Sequence, residues 1–353
     1  MPPIVKFLLR RLLAFPITLI LITAVLYGII MLAPIETRAA LYMPSGSNNP
    51  NADVDAIRAQ IVEEKGLNDP YPLQYARWAL ALTQGDWGWS PNYGDVLTSL
   101  VRRTPATMEL TLYSVLFLVP LGIISGGMAG AKQNRPTDHV FRLAAFIGTA
   151  IPPFILALIL MGVFYAGLNW FPPGRLDYSE MLMIEGQSFR TYTGLLTIDG
   201  MLNGQPDITI SAFRHLILPA ITLSVLHWAT LGRVTRTAMI EELSKQYIMA
   251  GWGRGLPRQA IVWNHALRNA MLPALNSIAL SAASLIMGVF VIERIYNFPG
   301  VSEMTQALAF LPDPPVMMGF AIYSVLLVLP VMLILDLLQA AFDPRVREGV
   351  TDS

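Results

Sequence analysis

Six apolar runs alternate with polar stretches along this chain. The first, Leu12 to Pro34, carries no charge; at about 1.5 Å per residue a helix of that length reaches roughly 34 Å, enough to cross the hydrocarbon core of a bilayer. The others are about Thr107–Ala131, Leu143–Trp170, Leu216–Leu231, Met271–Ile292 and Val316–Phe342. The pattern predicts an all-α polytopic membrane protein with six transmembrane helices. A cleaved signal would have a shorter apolar core and a small-residue site, which Met31 to Thr37 supplies poorly, so the first run reads as a retained span. Lys6, Arg10 and Arg11 precede it and put its start in the cytoplasm.

The polar stretches divide the chain. Residues 1–35 form the N-terminal span. Residues 36–106 form an extracytoplasmic insert between the first two spans, too long for a turn and helical from Ala52 to Glu64. Trp78, Trp87 and Trp89 in this insert read as anchors at the headgroup level in preference to a ligand cage. Residues 107–343 form a core of five spans with a cytoplasmic loop at 233–270, and 344–353 form a cytoplasmic tail. The segments placed inside hold 14 Lys and Arg, the two later outside loops 4, and the first outside loop, long enough to be exempt from the rule, 6. That asymmetry places both termini in the cytoplasm.

Within the spans a few residues stand out. Gly122, Gly126 and Gly130 repeat every fourth position and share one helix face, which suits either a dimer seam or close packing inside one chain. Glu109 is expected near the outer end of its span, within reach of water. Pro152 and Pro153 interrupt the third span, as a bend that shapes a cavity wall or as a fixed kink. Ser277, Ser281, Ser284 and Gly288 fall close to one face of the fifth span; such a stripe either lines a wet path or lets helices pack tightly. Asp336 reads as a packing or interfacial carboxylate before a proton relay, since no other ionisable residue shares its span.

Composition narrows the chemistry. The chain is 54% hydrophobic and 14% charged, with a mean hydropathy of +0.51 and zero formal net charge. No basic bias points to nucleic acid. The absence of cysteine excludes disulfides, thiolate metal sites and thiol nucleophiles, and four histidines, at 139, 215, 227 and 265, without HExxH spacing argue against a zinc hydrolase. No GxxxxGK[ST] loop is present to cradle phosphates, and the alternating glycines of GWGRG are not a dinucleotide fingerprint.

The segment from Tyr247 to Leu275, YIMAGWGRGLPRQAIVWNHALRNAMLPAL, is a glycine-broken basic stretch between two apolar runs. Gly251, Gly253 and Gly255 are expected to interrupt a helix begun over Glu241–Ala250, and Pro257 forbids its simple continuation, so a short helix ends here in a sharp turn. Arg254, Arg258 and Arg268 keep that turn in water. The segment resembles the cytoplasmic coupling loop, or EAA motif, of permease subunits of ATP-binding-cassette importers, most closely the dipeptide and oligopeptide class. The matching positions are Tyr247, Ala250, Gly255, Leu256 and His265 to Pro273. Met249, Ala250 and Gly251 stand where that motif has Glu-Ala-Ala, and Gln246 where an acidic residue is common. The strings GLNDPYPLQYARW (Gly66–Trp78), GDWGWS (Gly85–Ser90), DGMLNGQPDI, RHLILPAITL (Arg214–Leu223), ERIYNFPGV (Glu293–Val301) and the Asp343-Pro344-Arg345 ending resemble further signatures of the same class.

The resemblance implies a type I importer fold in a prokaryotic plasma (inner) membrane. It implies a non-catalytic chain forming half of a pathway with a second homologous permease subunit, two ABC ATPase subunits that hold ATP and Mg, and an extracytoplasmic solute-binding protein that delivers peptides. The chain itself would hold no cofactor and no metal. Tyr247, Ala250, Gly251, Trp252, Arg254, Gly255 and Leu256 would seat in the ATPase, and Ser277, Ser281, Ser284 and Gly288 are the candidates for the substrate path. Relatives in this class are also associated with nickel and some oligosaccharides. Two other classes compete: a secondary transporter, which would show more membrane-embedded charge and internal repeats, and an intramembrane enzyme, for which His227 with a serine is the nearest candidate.

Overall fold

The structure, a computed structural model, describes residues 3–39, 42, 54–186, 189–305 and 313–342; for 3–12, 30, 54–55, 314 and 334–342 it describes the backbone alone. The tail at 344–353, the Asp-Pro-Arg ending and the side chain of Asp336 therefore lie outside the described residues. In chain order the helices are α1 (Pro3–Ile30), α2 (Ile35–Ala39), α3 (Val54–Glu64), α4 (Tyr71–Thr83), α5 (Val96–Ala131), α6 (Pro136–Ala150), α7 (Pro153–Leu160), α8 (Tyr178–Glu185), α9 (Leu196–Leu202), α10 (Pro206–Leu243), α11 (Gln246–Gly253), α12 (Leu267–Ile295) and α13 (Pro314–Phe342). A two-stranded antiparallel ribbon pairs β1 (Trp89–Ser90) with β2 (Gly94–Asp95) before α5. Wide π-helical turns follow α7 (Met161–Gly167) and precede α12 (Ala260–Ala266).

Among the described residues four helices are long and apolar enough to cross a membrane: Val96–Ala131, Pro206–Leu243, Ala260–Ile295 and Pro315–Leu333. A fifth span is reached if α6 and the α7–π segment count as one. The chain is thus a helical polytopic membrane protein, but its elements differ from the expected runs. The third run is interrupted where its proline pair stands: at Ile151–Pro152 the chain bends by 102°, because Pro152 and Pro153 lack N–H donors and the residue before a proline is driven to extended backbone, as Ile151 is. The first helix stops at Ile30, short of Pro34. The second begins at Val96, eleven residues before Thr107, since Pro105 is accommodated inside it.

The chain divides into two compact units, residues 1–104 with 301–331, and residues 105–300 with 332–353. In the first, α4 lies along the last turns of α1 through an aromatic seam. Tyr71 donates to the Ala24 carbonyl and Tyr75 to that of Ile20, and the Trp78 ring sits 4.9 Å from that of Tyr27. Gln74, buried, ties the turn between α3 and α4 by donating to the carbonyls of Leu67 and Asp69 and accepting from Arg38. Trp87 meets Tyr323 edge-on, whereas Trp89 is exposed.

The second unit is built on α10, which packs against α5, α6, α7, α9 and α12. The glycine stripe of α5 faces α10 of the same chain: Gly122 meets Leu231, Gly126 meets the backbone of Gly232, and Gly130 meets Met239. It is therefore an internal seam. Hydrogen bonds cross it, from Ser224 to the Ser114 carbonyl (2.8 Å) and from Trp228 to Ser125 Oγ (3.0 Å).

Glu109 is not open to water as expected; it is fully buried. Arg175 donates to its Oε2 at 2.6 Å, and the backbone N–H and hydroxyl of Thr197 both donate to Oε1 at 2.8 Å, so one carboxylate pairs a cation and caps the start of α9. A buried charge persists only when so compensated. Glu109→Gln is expected to destabilise the protein by about 3 kcal/mol, because Arg175 is left without its anion. The exposed Asp207→Asn should stay within about 0.5 kcal/mol. Thermal unfolding of the detergent-purified variants separates the two.

Candidate functional site

The basic segment after α10 forms a compact exposed feature. Its helix does not run through from Glu241: α10 ends at Leu243, and α11 starts afresh at Gln246. Gly251 lies inside α11 and does not interrupt it, because tertiary anchoring overrides its poor propensity, whereas Gly253 is the last helical residue. An eight-residue helix alone is marginal, and two devices hold this one. Ile248 is 1% exposed and packs into a cluster with Ala238, Met239, Ile261, Val262, Ala266, Leu267 and Ala270. At the other end Gly255 adopts φ +76°, its N–H donates to the Trp252 carbonyl, and the Leu256 N–H donates to the Gly251 carbonyl. That is the Schellman closure, with the Leu256 side chain folded over Gly251. The sharp turn expected before Pro257 is thus present.

The start of α11 is pinned by side chains. Tyr247 Oη donates to Glu242 Oε2 at 2.6 Å and accepts from Asn269 Nδ2 at 2.9 Å, while Lys245 pairs with Glu242. Burial and the hydrogen bond to Glu242 raise the Tyr247 phenol above its ordinary value, so it stays protonated and donating at neutral pH. Glu242 raises Lys245 in the same way. Glu242 carries no mark in the sequence that would single it out, and Asn269 stands there only as one letter of the His265–Pro273 string; the folded geometry recruits both to Tyr247.

The residues proposed for docking therefore share one element with two different roles. Tyr247, Ala250, Trp252 and Arg254 are exposed, whereas Gly251 and Leu256 are half-buried in the closure that Gly255 makes. Met249, absent from the expected set, is the most exposed large apolar residue of α11 at 68%, with Trp252 at 45%. Its position inside the Met-Ala-Gly triplet was the available signal. Arg258 reaches back to the Ala131 carbonyl at the end of α5. An apolar, rigidly held, solvent-facing helix ringed by Lys245, Arg254 and Arg258 has the make-up of a protein-docking surface. Nothing in it is arranged for bond-making chemistry.

The stripe on α12 is split. Ser281 is buried, Ser277 and Gly288 are half-buried, with Gly288 near Leu223 of α10, and Ser284 is exposed with its hydroxyl returned to the Leu280 carbonyl. The stripe runs along the border between the face packed on α10 and an exposed face carrying Leu280, Met287 and Val291. At the end of α12, Glu293 is fully buried, accepts from Thr107, and lies under Gly300, where a Cβ would collide with the carboxylate. The ERIYNFPGV string is thus a closed turn over a buried acid. Among the described residues no group of three His, Cys, Asp or Glu is placed to hold a metal ion.

Residues 119–348 match the family described as binding-protein-dependent transport system inner membrane component, and residues 4–111 match its N-terminal counterpart. The chain is 30% identical over 341 residues to the dipeptide transport system permease protein DppB of Alkalihalophilus pseudofirmus, covering 96% of this chain and 98% of that protein. It is 34% identical over 298 residues to the probable D,D-dipeptide transport system permease protein DdpB of Escherichia coli, covering 84% and 86%. The oligopeptide transport system permease protein AppB of Bacillus subtilis is 32% identical over 340 residues, covering 96% and 98%.

Proposed function

The chain belongs to the family of binding-protein-dependent transport system inner membrane components, and from that premise we propose that it is the permease subunit of an ATP-driven peptide importer. It forms half of the pathway for dipeptides or oligopeptides, beside a second homologous permease chain. Two ABC ATPase subunits bind ATP and Mg and carry out hydrolysis, and a solute-binding protein delivers the peptide; the chain itself is non-catalytic and binds no cofactor. In this reading six spans cross the inner membrane, both termini are cytoplasmic, and residues 36–106 are the extracytoplasmic insert. The printed names of its near full-length relatives support peptides as the cargo.

The observation that carries the mechanism is α11, an exposed apolar helix fastened to the span core by Ile248 and closed at Gly255. A lever needs both properties: a free face to be gripped and a stiff root to pass on the displacement. Tyr247, Ala250, Trp252 and Arg254 form the gripped face, and Gly251, Gly255 and Leu256 set its shape. Nucleotide-driven closure of the ATPases displaces α11, and only the difference in free energy of the bound partners between inward-open and outward-open states biases the pathway. Ser277, Ser281, Ser284 and Gly288 line its wall.

The test is reconstitution of the chain with its second permease, ATPases and binding protein in liposomes. Labelled dipeptide should enter only with ATP present, and peptide-loaded binding protein should stimulate ATP hydrolysis. Uptake by this chain without ATPase subunits would make it a secondary transporter, and stimulation by nickel or an oligosaccharide but by no peptide would overturn the cargo.

A further inference from the structure

At the basic end of the second unit a cavity of about 480 Å³ is lined by His139, Arg142, Leu143, Phe146 and Arg233. It lies between α6 and α10 where these helices touch closely, a Cβ on Gly232 falling 2.7 Å from the Phe141 ring. That contact sets the next residues of each helix, Arg142 and Arg233, beside one opening. The nearby acid, Asp138, is fully buried and directed at Arg236 through two hydrogen bonds of 2.5 and 2.7 Å, and reaches Arg142 only through space. Among the described residues no carboxylate pairs with His139, Arg142 or Arg233. The Asp138 carboxylate acts on Arg142 only as a more distant charge, being hydrogen-bonded to Arg236, so the two guanidinium groups at the opening are undercompensated and favour an anion.

The surroundings say what carries that anion. The face of α6 turned toward α10 holds Phe141, Ala145 and Gly148. Its other face presents Val140, Leu143, Phe146 and Ile147, with Leu143 61% and Phe146 69% exposed. Cations thus occupy the first turns of α6, next to the polar turn at Lys132–Arg135, and bare apolar side chains occupy the turns that follow. A soluble anion would gain nothing from Leu143 and Phe146; a phosphate joined to acyl chains matches both halves. Arg is also suited to phosphate, offering a planar pair of donors.

We propose that this cavity is a binding site for an anionic phospholipid headgroup, its phosphate held by Arg142 and Arg233 with His139 at the rim and its acyl chains laid along Leu143 and Phe146. This goes beyond the transport reading and does not depend on it. The experiment is native mass spectrometry of the full-length chain released from nanodiscs containing phosphatidylglycerol and phosphatidylcholine. The wild-type chain should retain phosphatidylglycerol preferentially. Arg142→Gln with Arg233→Gln should lower that preference about thirtyfold, each arginine near the surface being worth roughly fivefold. Arg142→Lys with Arg233→Lys should keep most of it, and both side chains are exposed, so a shifted unfolding temperature is not expected. Millimolar inorganic phosphate should leave the lipid in place. Unchanged retention in the glutamine pair, displacement of the lipid by free phosphate, or occupation of this face by a second protein chain in place of lipid would each overturn the proposal.

Discussion

Gly126→Val is expected to leave almost no correctly folded protein in the membrane. A Cβ at this position would stand 2.9 Å from the Gly232 Cα and 3.0 Å from its carbonyl carbon, and closer still to its oxygen. These are backbone atoms, so no rotamer change relieves the clash, and α5 and α10 must separate. Separation breaks the Ser224–Ser114 and Trp228–Ser125 hydrogen bonds and opens the packing of Leu231 and Met239 against Gly122 and Gly130. Overpacking alone costs about 1–3 kcal/mol in a core that can adjust. This seam adjusts poorly, and the lost contacts add to that figure against a total stability on the order of 5–15 kcal/mol. Gly127→Ala provides the contrast, since its Cβ would meet only the flexible end of Leu267 at 3.2 Å. Size-exclusion chromatography of fluorescently tagged protein should show wild-type-like material for Gly127→Ala and aggregate or no peak for Gly126→Val. A sharp, thermally wild-type peak for Gly126→Val would refute the seam.

The sequence foretold that seam in part, and the limits have physical causes. A period of four puts three glycines on one helix face whatever they touch, so their shared face was readable, but Gly232 stands alone between Leu231 and Arg233 and gives no sign of being their partner. The proline pair announced a break in the third run, yet proline chemistry sets only a local loss of hydrogen bonds; the 102° angle belongs to packing on α10. Glu109 was misjudged because depth along a span says nothing of a cation on a loop far along the chain. Its partner Arg175 looked like one more outside charge.

The same holds around α11. Gly255 and Pro257 forecast a closure that the backbone makes in full, because a positive φ and a missing N–H are properties of single residues. Gly251 suggested a break that does not occur, although the helix does end at Gly253, and a further break falls at Ser244 and Lys245, where neither residue is a strong terminator. Ile248 decides the matter, and its partners Ala238, Ile261 and Leu267 are distant in sequence. Likewise Glu293 read as part of a string, whereas burial beneath the Phe298–Gly300 turn makes it a structural acid.

Met249→Glu combined with Trp252→Glu should abolish transport while leaving the chain itself intact. Both side chains point away from the cluster that holds α11, being 68% and 45% exposed, and glutamate is a good helix former, so the unfolding temperature of the purified chain should not move. Their worth appears only when a partner covers them. Burying a methionine or tryptophan at an interface contributes about 1.5–3 kcal/mol each, and tryptophan is over-represented among the residues that dominate binding. Placing two carboxylates there removes that gain and adds the penalty of charges taken from water without partners. Coupling should fall by at least about a hundredfold, since each 1.4 kcal/mol is a factor of ten. Peptide-stimulated ATP hydrolysis and co-purification of the ATPase subunits should fall together. Gly255→Pro acts on the same device differently: it replaces φ +76° by a ring fixed near −65° and deletes the N–H that closes the helix on Trp252. It should loosen α11 itself and show as faster amide exchange over residues 246–256, which the double glutamate variant should not. Normal peptide uptake by the double glutamate variant would mean that α11 is only a turn between spans and that the ATPases are engaged elsewhere.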